Sequence, residues 1–145
     1  MSDVLSLSQI KMPGTARSKD DAIREAGEIL VTAGAVTPDY IDSMLDRERS
    51  VSTYMGNYLA IPHGTNEAKE SIKRSALSVI RYPEPIDWDG NEVLFALGIA
   101  GYQGGHMDIL SRIAIVFSDT DEVDKLVAAQ SAQEIYDLLN AVNQE

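Results

Sequence analysis

Ala76-Leu77-Ser78-Val79-Ile80-Arg81-Tyr82 and Val93-Leu94-Phe95-Ala96-Leu97-Gly98-Ile99-Ala100 are the segments on which the fold turns. Each is a short run rich in aliphatic and β-branched residues, the pattern of a strand inside a sheet, and the second reads as the more buried. Pro83 to Gly90, which holds two prolines, predicts a loop between them. Working outward towards the N-terminus, Thr53 to Ile61 is broken by Gly56 and Asn57, which predicts a short strand or hairpin running into the turn Pro62-His63-Gly64. Thr65 is placed to cap a short helix through Ile72. From Lys19 to Ala33 the residues Ala22, Ile23, Ala26, Ile29, Leu30 and Ala33 recur at helical spacing, with Ser18 as N-cap and Gly34 as the stop. Thr37-Pro38 opens a second helix that reaches about Arg47 to Arg49, striped by Tyr40, Ile41, Met44 and Leu45. Glu48 falls near the middle of that stripe, so either the helix has ended there or its carboxylate meets a polar neighbour.

Beyond the second strand, glycines at 98, 101, 104 and 105 loosen the chain before His106. Met107, Leu110, Ile113, Ala114 and Phe117 then predict a helix, a further one spans Glu122 to Ala129, and Ser131-x-x-Glu134 is a capping box for the last, with Ile135, Leu138, Leu139 and Val142 facing inward. Residues 1–17 read as an N-terminal arm or edge strand, and 18–145 as one domain. Strands and helices interleave, which implies an α/β, single-domain sandwich with a small mixed β-sheet flanked by helices.

The 145 residues carry 12 Lys+Arg against 23 Asp+Glu, a net charge of −11. Such a surface repels nucleic-acid backbone and anionic lipid, and no basic cluster offsets it, so nucleic acid is not an expected partner. With no cysteine, disulfides, thiolate catalysis and Cys-based metal sites are removed together. No apolar run is long enough to span a bilayer and the N-terminus lacks a basic-then-apolar leader, so a cytoplasmic protein without membrane insertion is expected. The nucleotide-binding loops G-x-x-x-x-G-K and G-x-G-x-x-G, the serine-hydrolase elbow G-x-S-x-G and the zinc motif H-E-x-x-H are all absent.

What remains is two histidines, His63 and His106, each in an irregular segment beside a predicted helix start. Pro62 fixes the backbone on one side of His63, and Gly64 lets the chain turn on the other without crowding the imidazole. A neutral imidazole held in a rigid turn is a nucleophile suited to accept a phosphoryl group and pass it on. A helix opened at Thr65 would add N–H groups and a positive dipole end beside such a group. The competing readings are a surface histidine at 63 and a capping or packing histidine at 106. A metal site pairing both with Asp108 or Glu67 has no supporting ligand spacing, so no metal is expected. The helical period leaves Arg47 and Arg49 equivalent, each about 100° from the centre of the stripe.

Leu45-Asp46-Arg47-Glu48, then Tyr54-Met55-Gly56-Asn57-Tyr58-Leu59-Ala60-Ile61-Pro62-His63-Gly64-Thr65, and later His106-x-x-x-Leu110-Ser111-x-Ile113-Ala114, resemble the IIA proteins of the bacterial phosphoenolpyruvate-dependent sugar phosphotransferase system. The resemblance covers about Ser18 to Val142, and Asp-Arg-Glu with Ala-Ile-Pro-His-Gly-Thr-x-Glu-Ala-Lys looks most like the mannitol branch. It implies that His63 takes a phosphoryl group from the phosphocarrier protein HPr and gives it to a sugar-specific IIB domain of the membrane permease. It further implies that His106 hydrogen-bonds the phosphoryl group, that Arg47 neutralises its charge and that Asn57 lines the site. No cofactor is implied, because phospho-HPr already carries the reactive bond. A fructose-specific IIA protein, a nitrogen-type regulatory IIA protein that uses phosphorylation as a binding switch, and a partner-binding module without phosphorylation are the alternatives.

Overall fold

The two apolar segments pair with each other and form the centre of the sheet. The computed structural model of the chain describes residues 4–102 and 106–140, without the side chains of Asn66, Glu67, Lys69, His106 and Met107. Val142, Gly104 and Gly105 therefore lie outside the described residues. Strand β4 (Ala76–Trp88) runs antiparallel to β5 (Asn91–Ala100), from Ala76 opposite Ala100 to Trp88 opposite Asn91. The loop expected over Pro83 to Gly90 is instead strand as far as Trp88, and the reversal takes only Asp89 (φ 55) and Gly90 (φ 93). Positive φ at both positions is the type I′ geometry that Asp-Gly favours. The prolines are tolerated because they fall between Arg81 and Ile86, where the register shifts and the ladder does not require their N–H.

Around this hairpin, β1 (Ile10–Lys11) adds in parallel to β4, β3 (Leu59–Ala60) in parallel to β5, and β2 (Tyr54–Gly56) antiparallel to β3. The result is a five-stranded mixed sheet in the order β1-β4-β5-β3-β2. The turn between β2 and β3 is made by Asn57 and Tyr58, both at positive φ (51 and 67).

Helices α1 (Lys19–Thr32) and α2 (Tyr40–Ser50) cover one face, while α3 (His106–Phe117), α4 (Thr120–Ala128) and α5 (Ala132–Leu139) cover the other. Alternation along β4 divides the two cores, with Leu77 and Val79 packing under α3 to α5 and Ile80 and Tyr82 under α1 and α2. Each of the fully buried aliphatic side chains among them contributes about 1.5–3 kcal/mol. In β5 the alternation slips once. Leu94 and Phe95 both pack on the α3 side, whereas Val93 packs on the other. Their two N–H groups donate to the single carbonyl of Tyr58 (2.9 and 3.0 Å), the two-against-one arrangement of a β-bulge.

Helix α1 ends as its local signals predict. Ser18 Oγ accepts from Asp21 N (3.3 Å), and Gly34 (φ 77) closes a Schellman motif through Ala35 N to Leu30 O (3.0 Å) and Gly34 N to Val31 O (2.9 Å). The helix expected after Thr65 is a 3₁₀ segment over Asn66–Ser71, too short to supply the dipole proposed for it.

Candidate active site

His63 sits where β3 runs on past its last regular pair. Ile99 N donates to Pro62 O (3.0 Å), and His63 forms a parallel bridge with Ile99, so Ile61 to His63 continue along β5 towards its C-terminal end. The next residue is held to the same point on β5: Gly64 N donates to the Tyr40 hydroxyl (2.9 Å), which donates to the Ile99 carbonyl (2.8 Å). Pro62 and Gly64, on either side of the histidine, are thus both anchored at Ile99.

A glycine at 64 has a packing reason in addition to the turn expected of it. A Cβ there would lie 2.5 Å from Ser43 Oγ and 2.5 Å from Tyr40 Cε1, so the missing side chain lets the loop press against α2. The half-buried ring has its Nδ1 2.7 Å from the carbonyl of Ile61. A carbonyl can only accept, so in this contact Nδ1 is the donor and the neutral ring carries its lone pair on Nε2.

Contact with Gly64 separates the two arginines by helix face. Tyr40 and Ser43 are the α2 residues against the loop. At 3.6 residues per turn Arg47 lies within about 20° of Tyr40 around the helix, and Arg49 about 180° from it. Arg47, half-buried, donates from Nη1 to Val51 O (2.9 Å), whereas the exposed Arg49 pairs with Asp46 (2.9 Å) on the far side.

Of the two readings of Glu48, the polar neighbour is the correct one. Its carboxylate, 5% exposed, accepts from Thr53 N (3.1 and 3.2 Å), Thr53 Oγ1 and Trp88 Nε1 (3.2 Å). These bonds tie the last turn of α2, which bears Arg47, to the start of β2 and to the β4–β5 hairpin.

His106 is the first residue of α3, which starts after β5 ends; its side chain lies outside what is described. The N-terminal end of α3, the positive end of its dipole, is therefore at the His63 end of the sheet. Asn57 is not brought there. Its Nδ2 donates to Phe117 O (2.7 Å), at the opposite end of α3. Leu59 faces Phe95 on β5 while His63 faces Ile99, about 13 Å farther along at ~3.3 Å per residue. The short polar Asn57 suits its left-handed turn position and the end of a helix.

Sequence reasoning placed Tyr40 in an apolar stripe and did not single out Ser43; neither carries a local signal for its contact with Gly64. Among the described residues no group of His, Asp and Glu is arranged to hold a metal ion, and no helix is long and apolar enough to cross a membrane.

Residues 3–142 match the family model described as "Phosphoenolpyruvate-dependent sugar phosphotransferase system, EIIA 2". The chain is 51% identical over 141 residues, 97% of each chain, to the mannitol-specific phosphotransferase enzyme IIA component of Halalkalibacterium halodurans. Its fold is similar to the crystal structure of IIA mannitol from Escherichia coli, with a TM-score of 0.86, 33% identity and coverage of 93% of this chain and 98% of that one. It is similar, too, to the IIA mannitol structure in complex with phosphorylated IIB from the same organism, with a TM-score of 0.87, 32% identity and coverage of 93% and 96%.

Proposed function

The chain belongs to the EIIA 2 family of the phosphoenolpyruvate-dependent sugar phosphotransferase system, a phosphotransferase component, and from that premise we propose that it relays a phosphoryl group through His63 during mannitol uptake. The donor is phospho-HPr and the acceptor is a mannitol-specific IIB domain. The relay operates in the cytoplasm, where a IIA protein of this kind meets both partners.

The observation that carries this reading is the His63 ring, whose Nδ1 is bonded to the Ile61 carbonyl in a loop pinned at Ile99. In the transfer, the Nε2 lone pair attacks phosphorus in line, the Nε2–P bond forms and the bond from phosphorus to the carrier breaks. The carrier leaves with that electron pair. His63 keeps its Nδ1 proton and becomes positively charged, so the bond to Ile61 O strengthens as charge develops. Catalysis of this kind is mainly positioning plus stabilisation of the equatorial oxygens. Arg47, on the α2 face that meets the loop, and His106, at the start of α3, supply that stabilisation. Asn57, committed to Phe117 O, has no part in it.

Incubation with phosphoenolpyruvate, Enzyme I and HPr, followed by intact mass, tests the relay. Wild type should gain one acid-labile phosphoryl group that His63→Ala does not, and should lose it to a mannitol IIB domain but not to a fructose IIB domain. An unmodified wild-type mass would refute the reading.

A further inference from the structure

We propose that Tyr40 is a positioning residue for His63: its hydroxyl, bonded at once to Gly64 N and Ile99 O, fixes the direction in which the imidazole presents Nε2. The inference rests on the reading of His63 as phosphoryl acceptor. His63 is flanked by two anchors that meet at a single residue of β5. Pro62 is held directly, by Ile99 N, and Gly64 is held through the Tyr40 hydroxyl to Ile99 O. The tyrosine is 2% exposed, and its ring carbon Cε1 is one of the two atoms, with Ser43 Oγ, that would stand 2.5 Å from a Cβ on Gly64. Burial raises the Tyr40 hydroxyl above its ordinary value, so it stays protonated and keeps donating to Ile99.

The hydroxyl touches neither the phosphoryl group nor the ring, and it acts only through the loop. The contact between Nδ1 and the carbonyl of Ile61 spans two residues within that loop, so it depends on the dihedrals that the anchors hold. Phenylalanine at position 40 would fill the same space while releasing Gly64 N–H and the Ile99 carbonyl. The loop then relaxes, and the ring loses its fixed tautomer and aim. A misplacement near 1 Å costs on the order of a hundredfold in rate.

The test compares wild type, Tyr40→Phe and Tyr82→Phe. Tyr82 is a buried tyrosine whose hydroxyl bonds Glu25 (2.8 Å) on the α1 side, so its loss is a control for stability. Initial rates of phosphoryl acceptance across a range of phospho-HPr concentrations should show kcat lowered tenfold or more in Tyr40→Phe, with KM within twofold. Tyr82→Phe should keep both constants. Ring nitrogen NMR shifts, recorded with no donor present, should show Nδ1 protonated in wild type and mixed tautomers in Tyr40→Phe. A kcat for Tyr40→Phe within twofold of wild type, or a loss no larger than that of Tyr82→Phe at equal loss of melting temperature, overturns the proposal. If Tyr40→Phe does not fold, amide exchange of wild type decides: a slowly exchanging Gly64 N–H supports the anchor and an unprotected one overturns it. Failure of wild type to accept a phosphoryl group would refute the relay, and the ring shifts would still show whether Tyr40 holds His63.

Discussion

Gly64→Ala asks whether close approach to α2 is what aims the His63 loop. The new Cβ would stand 2.5 Å from Ser43 Oγ, 2.5 Å from Tyr40 Cε1 and 2.9 Å from Tyr40 Cζ. Ordinary contact between such atoms begins near ~3.5 Å, so the overlap is about 1 Å. Tyr40 is 2% exposed and bonded through its hydroxyl to Gly64 N and Ile99 O, and Ser43 Oγ donates to Tyr40 O (2.7 Å). The helix is therefore the rigid partner, and the loop must move. Backbone preference does not enter, because the glycines at positive φ among the described residues are Gly34, Gly56 and Gly90. Overpacking of this kind costs about 1–3 kcal/mol. In a domain of this size each kcal/mol lowers the melting temperature by roughly 2–4 °C. A shift of about 1 Å at the nucleophile should slow phosphoryl acceptance on the order of a hundredfold.

The assay is a time course of intact mass with phospho-HPr, paired with thermal unfolding. Gly90→Ala is the control: it sits at φ +93 with nothing within 4 Å of its Cβ, at the far tip of the β4–β5 hairpin. It should lose about 1–2 kcal/mol from backbone strain alone and keep its rate. A wild-type rate and melting point for Gly64→Ala would refute the packing argument. Equal rate losses in the two variants would show that stability, and not placement, is being read.

Two further expectations use the same assays. Arg47→Ala should slow phosphoryl acceptance by tenfold or more with little change in melting temperature, and Arg49→Ala, whose partner Asp46 is exposed, should behave as wild type; equal effects would remove the assignment by helix face. For Glu25, burial alone raises the carboxyl, but bonds from Lys11, Thr15 and Tyr82 outweigh it and hold it at about 2, below its ordinary 4.5. A folded value below the unfolded one means stability fully present above pH 4.5 and lost as pH falls from 4.5 towards 2. At ~1.36 kcal/mol per pH unit this contributes up to about 3 kcal/mol. Urea midpoints of wild type should therefore exceed those of Glu25→Gln at pH 7 and approach them as the pH drops; a gap that is constant with pH would refute it.

Local signals carried much of the fold. Ser18 and Gly34 bracket α1, Ser131 opens α5 by accepting from Glu134 N (3.2 Å), and the two apolar runs are the central strands. The misread segment, Pro83 to Gly90, shows why such signals stop short. A proline breaks a strand only where the ladder calls on its nitrogen, and that depends on the partner strand's register, which shifts between Arg81 and Ile86. The Asp89-Gly90 turn was present as a dipeptide but was hidden by the prolines before it.

At the site, the residues alone made His63 a candidate, because Pro62 and Gly64 fix the turn that carries it, with an ordinary surface histidine as the competing reading. The sequence by itself determined the candidate nucleophile, the acidic balance of the whole chain and the alternation that buries β4 and β5. Only the tertiary structure decided which residues of α2 press against the loop at Gly64, that Glu48 answers to Thr53 and Trp88, and that Asn57 Nδ2 bonds at the far end of α3. Helical period ranks residues around one axis, but it does not say which neighbour lies on which side. That is settled when Tyr40, Gly64 and Ile99, distant along the chain, meet at one pair of hydrogen bonds.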